Sequence, residues 1–244
     1  MTTVKPYSAE GSKKEQVSQM FDNIAANYDF LNHFLSLGID KIWRRKMIKE
    51  VGMVQPKLIL DVATGTGDVA INTLKQLNDK DLRIVGLDIS PEMLNVGIKK
   101  IETKGLSGRI DMIVGDSENL PFENNKFDAI TVAYGVRNFE DLAHGLSEMQ
   151  RVLKPNGKLV VLEFSKPRLF PFRQLFNFYF KNILPTIGKL TSKDPRAYSY
   201  LYESVQTFPD GTDFLTVLQK TGYINTQCTP LTLGICSIYT AFKP

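Results

Sequence analysis

Between residues 58 and 164, apolar β-branched runs alternate with stretches of helical periodicity, and few folds accommodate that order. The runs are Leu58–Val62, Arg83–Leu87, Ile110–Val114, Phe127–Val132 and Lys158–Phe164, the last entered through the turn Lys154–Gly157. Between them, Ser90 reads as an N-cap with Pro91 at the first helical position, and Leu94, Ile98 and Ile101 fall on one face. Leu142, Leu146, Met149 and Leu153 form a second stripe ahead of Pro155. Strand-helix alternation of this kind predicts a mainly parallel sheet with helices on both faces. Further along, Thr212–Lys220 reads as a helix ended by Gly222, and Thr226–Lys243 as two strands broken at Pro230 and Gly234, close enough in sequence to pair antiparallel.

Two segments stand outside the rhythm. Val17, Met20, Phe21 and Ile24 lie at helical spacing before the first strand, and residues 166–196 carry seven Lys/Arg against Asp194 alone, a local charge of +6 inside a chain of net +4. The same stretch holds Phe170, Phe172, Phe176, Phe178, Tyr179 and Phe180. With no repeat and no low-complexity linker, the expectation is one domain over 1–244, with a helical cap over 1–50 and a basic-aromatic insertion over 165–205. At 43% hydrophobic residues the chain has ample material for a core, which excludes disordered and collagen-like classes. No apolar run approaches the roughly 18 residues that span a bilayer, and the start lacks the layout of a signal peptide. Cys228 and Cys236 are expected as reduced, mostly buried thiols, and the protein as soluble and cytoplasmic.

The strongest local motif is Leu58–Asp68, a strand followed by Gly65-Thr66-Gly67 and the start of a helix. Glycines there let the backbone turn sharply and approach a ligand closely. Gly65-x-Gly67-x-x-Ala70 also fits a dinucleotide fingerprint. Against it, Asp61 stands inside the strand, where it could order the loop and reach a ligand, and Asp68 at the helix start would repel a pyrophosphate. Asp88 ends the next strand, placed to accept two ribose hydroxyls, and Asp116-Ser117 follows the third strand, where a polar group could read an adenine amino group. Together these point to a cationic nucleoside without phosphates, S-adenosylmethionine.

Tyr28–Asn32 continuing through Ser36–Gly38 to Trp43-Arg44 resembles a signature of the quinone-biosynthesis C-methyltransferases, the demethylmenaquinone and ubiquinone ring methylases. So do Asp116–Phe122, Tyr134–Asn138, Arg151–Gly157 and Leu162–Pro167. The resemblance runs over nearly the whole chain. It implies a class I, Rossmann-like α/β fold with a seven-stranded, mostly parallel sheet whose last strand is antiparallel, and cofactor contacts at Thr66, Asp88, Asp116 and Ser117. The chain departs from the common pattern at Thr64, Asp116 and Ala133. It implies methylation of a polyprenyl quinol, foremost demethylmenaquinol, with the ubiquinone-pathway benzoquinol as alternative.

Methylating a ring carbon requires alignment of the reactants, exclusion of water and stabilisation of phenolate charge. Arg137, following the fourth strand, suits the last task, with Asn138 and Tyr28 to hold a water or hydroxyl; the resemblance selects this trio. His33 and His144 are the only histidines and form no metal set with the cysteines, so none is expected. His33 and Trp43 are expected in cap packing and His144 on the surface. The basic-aromatic stretch suits a lid that captures a prenyl tail and touches the inner membrane face transiently. A homodimer stays open, and nucleic acid is not expected as a partner. The rivals from other classes are an NAD-dependent oxidoreductase and an RNA-binding methyltransferase that uses residues 166–196.

Overall fold

The computed structural model describes residues 4–7, 10–29, 36, 38–183, 194 and 196–244. His33, Lys189, Lys193 and part of the predicted insertion lie outside them. Seven strands form one sheet in the order β3-β2-β1-β4-β5-β7-β6. They are β1 Leu58–Val62, β2 Arg83–Asp88, β3 Ile110–Val114, β4 Phe127–Ala133, β5 Leu153–Phe164, β6 Ile224–Leu231 and β7 Cys236–Phe242. The first five pair in parallel, and β7 is antiparallel to both β5 and β6. The order reverses between β1 and β4, which opens a crevice at their carboxyl ends, where open α/β sheets bind ligands.

Successive residues of each strand feed opposite cores. Leu60, Val62, Leu159 and Val161 pack with Leu146 and Met149 of α5 (Leu142–Val152) and with Phe214 and Leu218 of α8 (Thr212–Lys220). Ile59, Val160 and Leu162 face the other way, onto Met47 and Val51 of α2 (Ile39–Gly52) and Val69 and Leu74 of α3 (Asp68–Leu77), with Ile101 of α4 (Pro91–Thr103). Residues 159–162 are at most 1% exposed, so truncating one of these leucines to alanine costs about 2–5 kcal/mol. A third cluster joins α1 (Lys13–Ile24) to α6 (Phe172–Phe178) and α7 (Arg196–Thr207), through Val17, Met20, Phe176, Phe180 and Tyr200. No helix among the described residues is long and apolar enough to cross a membrane.

Three local expectations are corrected. Ile98 is exposed, because Met93, Leu94, Gly97 and Ile101 make the buried face of α4. Leu153 opens β5 instead of closing the preceding helix. Pro230 lies inside β6, tolerable because β6 is an edge strand with one partner, and the break falls at Thr232–Gly234. Ser90 caps α4 as expected, accepting from the Met93 amide at 3.2 Å. Cys236 is buried and Cys228 partly so, and both are free thiols.

Candidate active site

Two chambers meet over the carboxyl ends of the strands. The smaller, about 70 Å³, lies at the β1–β4 crevice and is bordered by Gly65, Asp88, Asp116, Ser117 and, from α1, Lys14, Val17 and Phe21. The larger, about 390 Å³, is walled by Phe164, Phe172, Phe176, Phe180, Trp43 and Ile24, with Arg44 and Arg137 as its cations. Phe21, Tyr28, Tyr134 and Asn138 border both.

The turn after β1 is shaped from behind. Asp61 is 1% exposed and accepts from the hydroxyls of Thr64 and Thr131, both at 2.6 Å, one on each carboxylate oxygen. It orders the loop, as the sequence suggests, but does not border the chamber. Ala63, Gly65 and Gly67 all have φ between 53° and 77°, the left-handed region, so the loop doubles back sharply. Opposite, a Cβ on Gly135 would lie 2.5 Å from that of Ala63, so only glycine lets the β4 turn close against the β1 turn. Gly67 faces Met112. Thr66 is buried away from the chamber and donates to Asp29 at 2.6 Å, beside Lys100. Of the predicted cofactor residues, Gly65, Asp88, Asp116 and Ser117 therefore face the chamber, while Asp61, Thr66 and Gly67 hold its rim.

Asp88 accepts from the Gly65 amide at 2.7 Å on one oxygen and the Ser90 amide at 2.9 Å on the other, with the Ile89 amide also directed at the carboxylate. Burial pushes its carboxyl up to about 6 despite these donors, and burial does the same for Asp61. Asp116 is held by Lys14 Nζ at 2.5 Å and by the Glu118 amide at 2.9 Å. Neither Lys14 nor Glu118 was singled out in the sequence. Asp68 pairs with Lys100 at 2.5 Å and Arg44 at 3.1 Å. Its charge is compensated, and the expected repulsion of a pyrophosphate by Asp68 does not stand. What distinguishes the chamber is the acidic acceptor set of Asp88 and Asp116, suited to ribose hydroxyls and an amino group.

Arg137 sits in the short turn Val136–Asn138 that follows β4. Its Nη1 donates to Glu163 at 2.7 Å and to the Tyr134 carbonyl at 2.5 Å. Glu163 is fully buried, and desolvation raises its carboxyl while Arg137 opposes the shift. Arg137 Nε and Asn138 Oδ1 are buried without hydrogen-bond partners. Tyr134, with φ 60°, aims its ring into the larger chamber. Trp43 packs as expected, its indole donating to Thr232 at 2.8 Å, yet it also lines the cavity. His144 is exposed, and no group of metal-ligating side chains occurs among the described residues. The basic stretch is partly consumed internally, with Lys166 on Asp210 at 3.0 Å and Arg196 on Glu203 at 2.8 Å.

Comparison with known proteins places this geometry. The ubiE/COQ5 methyltransferase family model matches residues 9–243. The chain is 52% identical over 240 residues to a demethylmenaquinone methyltransferase of Bacteroides fragilis, covering 98% of this chain and 97% of that one. It is 47% identical to the ubiquinone/menaquinone biosynthesis C-methyltransferase UbiE of Geotalea daltonii, covering 95% and 97%. Among solved structures, a SAM-dependent methyltransferase from Aquifex aeolicus superposes with a TM-score of 0.56 at 18% identity, over 77% of this chain and 82% of that one, a likeness of fold.

Proposed function

The chain belongs to the ubiE/COQ5 methyltransferase family, and on that premise we propose that it methylates a ring carbon of demethylmenaquinol at the expense of S-adenosylmethionine, giving menaquinol. The observation that carries this assignment is the pair of chambers, one small and acidic, one large and apolar, that share a wall of Phe21, Tyr28, Tyr134 and Asn138. Asp88 would hold the ribose hydroxyls and Asp116 with Ser117 the adenine edge. The cofactor supplies an electrophilic sulfonium methyl group.

The chain's own residues do the rest. The aromatic walls exclude water and fix the ring against the shared wall, which converts an encounter into an aligned pair. Arg137 donates toward the ring oxygen next to the carbon being methylated. Because Glu163 neutralises it, Arg137 acts through aimed N–H bonds more than through net charge. Asn138 can hold a water against that hydroxyl, the water carrying its proton away to solvent, and Tyr28 closes the gap from the other side. The apolar cavity accommodates the first part of a prenyl tail.

We also assign α6 and the residues flanking it, 168–181, to the membrane surface. Leu169, Phe170, Leu175 and Phe178 are 59–80% exposed, and Arg168, Arg173 and Lys181 are exposed beside them. Contiguous apolar side chains rimmed by cations suit an interface with anionic lipid. Phe172 and Leu175 of the same helix border the cavity, so a tail could pass from lipid to site without crossing water.

The test is incubation of the purified protein with S-adenosylmethionine and a short-tailed demethylmenaquinol under reducing conditions, with mass spectrometry of the quinone. A gain of one methyl on the ring supports the assignment. No methylation, or methylation only of a benzoquinol substrate, overturns it.

A further inference from the structure

The N-terminal end of a helix carries a partial positive charge and favours acids, yet α1 begins with two lysines, Lys13 and Lys14, ahead of its capping Glu15. Lys14 has a carboxylate to meet, Asp116. The Lys13 ammonium has no carboxylate partner among the described residues, although the residue is only 7% exposed. Burying a lysine at the unfavourable end of a helix costs stability, and chains break such local rules chiefly at functional sites.

Lys13 spends its ammonium on two backbone carbonyls, that of Phe139 at 2.7 Å and that of Arg137 at 3.1 Å. Its amide donates to the Glu140 carboxylate at 3.0 Å, and the Glu140 amide donates to Glu118 at 2.7 Å. The stretch held in this way is the turn Val136–Asn138 with the two residues that follow it. A lone 3-10 turn of three residues has little stability of its own. Glu163 holds it from the sheet, through the Arg137 guanidinium at 2.7 Å and the Arg137 amide at 3.4 Å. Lys13 holds it from α1, through its carbonyls.

We propose that Lys13 is a positioning residue for methyl transfer: by binding the carbonyls of this turn, it fixes the direction in which Arg137 and Asn138 present their side chains to the ring. This rests on the quinol assignment above. Lys13 borders neither chamber, so it acts through the turn alone. An ammonium has three N–H donors, enough for both carbonyls at once. Burial pushes it down to about 8, with Glu118 and Glu140 opposing the shift and Arg137 reinforcing it. The grip is therefore strongest below pH 8, where the group is charged.

The experiment compares wild type, Lys13→Ala and Lys13→Arg in methyl transfer to a short-tailed demethylmenaquinol, with S-adenosylmethionine affinity and melting temperature measured alongside. Lys13→Ala should lose kcat by about tenfold or more, with KM for the quinol and S-adenosylmethionine affinity within about twofold of wild type. Propylammonium replaces the missing atoms and should restore kcat, whereas tetramethylammonium, a cation without N–H donors, should not. Lys13→Arg keeps charge and donors and stays protonated at high pH. The ratio of wild-type to Lys13→Arg kcat should therefore fall as pH rises through about 8, ionisation of the quinol being common to both and cancelling. This second comparison decides the role should Lys13→Ala not fold. Unchanged kcat in Lys13→Ala, a loss confined to KM or to cofactor affinity, equal rescue by both cations, or a ratio independent of pH overturns it. Wild-type protein that binds S-adenosylmethionine but leaves the quinol unmethylated removes the quinol assignment and Lys13 with it, whereas turnover that does not depend on Lys13 removes Lys13 alone.

Discussion

At Asp88, three backbone amides and the smaller chamber compete for one buried carboxylate. Burial and the nearby Asp22 lift its pKa to about 6, against the Gly65, Ser90 and Ile89 amides that lower it. Ribose hydroxyls need the ionised form as acceptor, so S-adenosylmethionine affinity should fall as pH drops through 6, by up to about tenfold per pH unit. Calorimetric titration between pH 5 and 8 reads this; Asp88→Asn should bind weakly with a flat profile, and a flat wild-type profile would remove the role. The linkage to folding runs the opposite way, for Asp88 and for Asp61, also raised to about 6: the contribution of both groups to stability is full below the unfolded pKa near 4 and is lost as pH rises through 6. Arg137 and Glu163 give a second prediction. Arg137→Met should cut turnover by about 100-fold or more and also destabilise the fold by about 3–5 kcal/mol, because Glu163 is left buried and unpaired. Adding Glu163→Gln should restore the melting temperature but not the activity; recovery of both would show that Arg137 is merely structural. Asp88, Asp116 and Gly65 were legible because Asp88 ends a strand and the other two follow one within three residues, where position alone implies the ligand edge. Arg44 and Lys14 were not, since they arrive from helices remote in sequence. The available signal was an ionisable residue inside the apolar stripe of α2, which reads Asp40, Trp43, Arg44, Met47, Val51.

Elements were more legible than the contacts they make. The first four strands begin where the apolar runs begin, because hydrophobic runs bounded by turn residues have no other way to be buried. α8 spans Thr212–Lys220 as its periodicity predicts. Leu153 and Pro230 escaped that logic because sheet position, central or edge, decides what a strand tolerates, and sheet order is not written locally. The aromatic stretch split in a way its composition did not announce. Phe176 and Phe180 are buried and stacked 4.2 Å apart, while Phe170 and Phe178 face outward. That division gives α6 its prediction: replacing Phe170 and Phe178 by Ser together with Lys181→Glu should weaken binding to vesicles containing anionic lipid by about tenfold. Activity on a short-tailed quinol in detergent should persist. Sedimentation with vesicles measures it, and unchanged sedimentation would detach α6 from the membrane.

For the whole molecule, the reversal of strand order between β1 and β4 fixes where a ligand lies, and the sequence conveyed it through the glycine turn and the acids that follow. What it could not convey is that α1 forms a wall of both chambers. Lys14 and Val17 face the smaller one, Met20 and Ile24 the larger, and Phe21 borders both. The helix is pinned at its start by Lys13, whose ammonium donates to the Arg137 and Phe139 carbonyls at 3.1 and 2.7 Å, and further on by Asp22, which accepts from the Ser90 hydroxyl at 2.6 Å. On α1, Lys14 already occupies Asp116, so a nucleoside amino group that binds there competes with Lys14. A partition that yields on one side is felt on the other, and thermodynamics makes that influence symmetric. Whatever factor S-adenosylhomocysteine applies to quinone affinity, quinone must apply to S-adenosylhomocysteine. Paired titrations should find a common factor of about 5–150, and independent binding would mean that α1 is a passive lining. On that expectation a single amphipathic helix, by bordering both chambers, would make the two substrates thermodynamic effectors of each other.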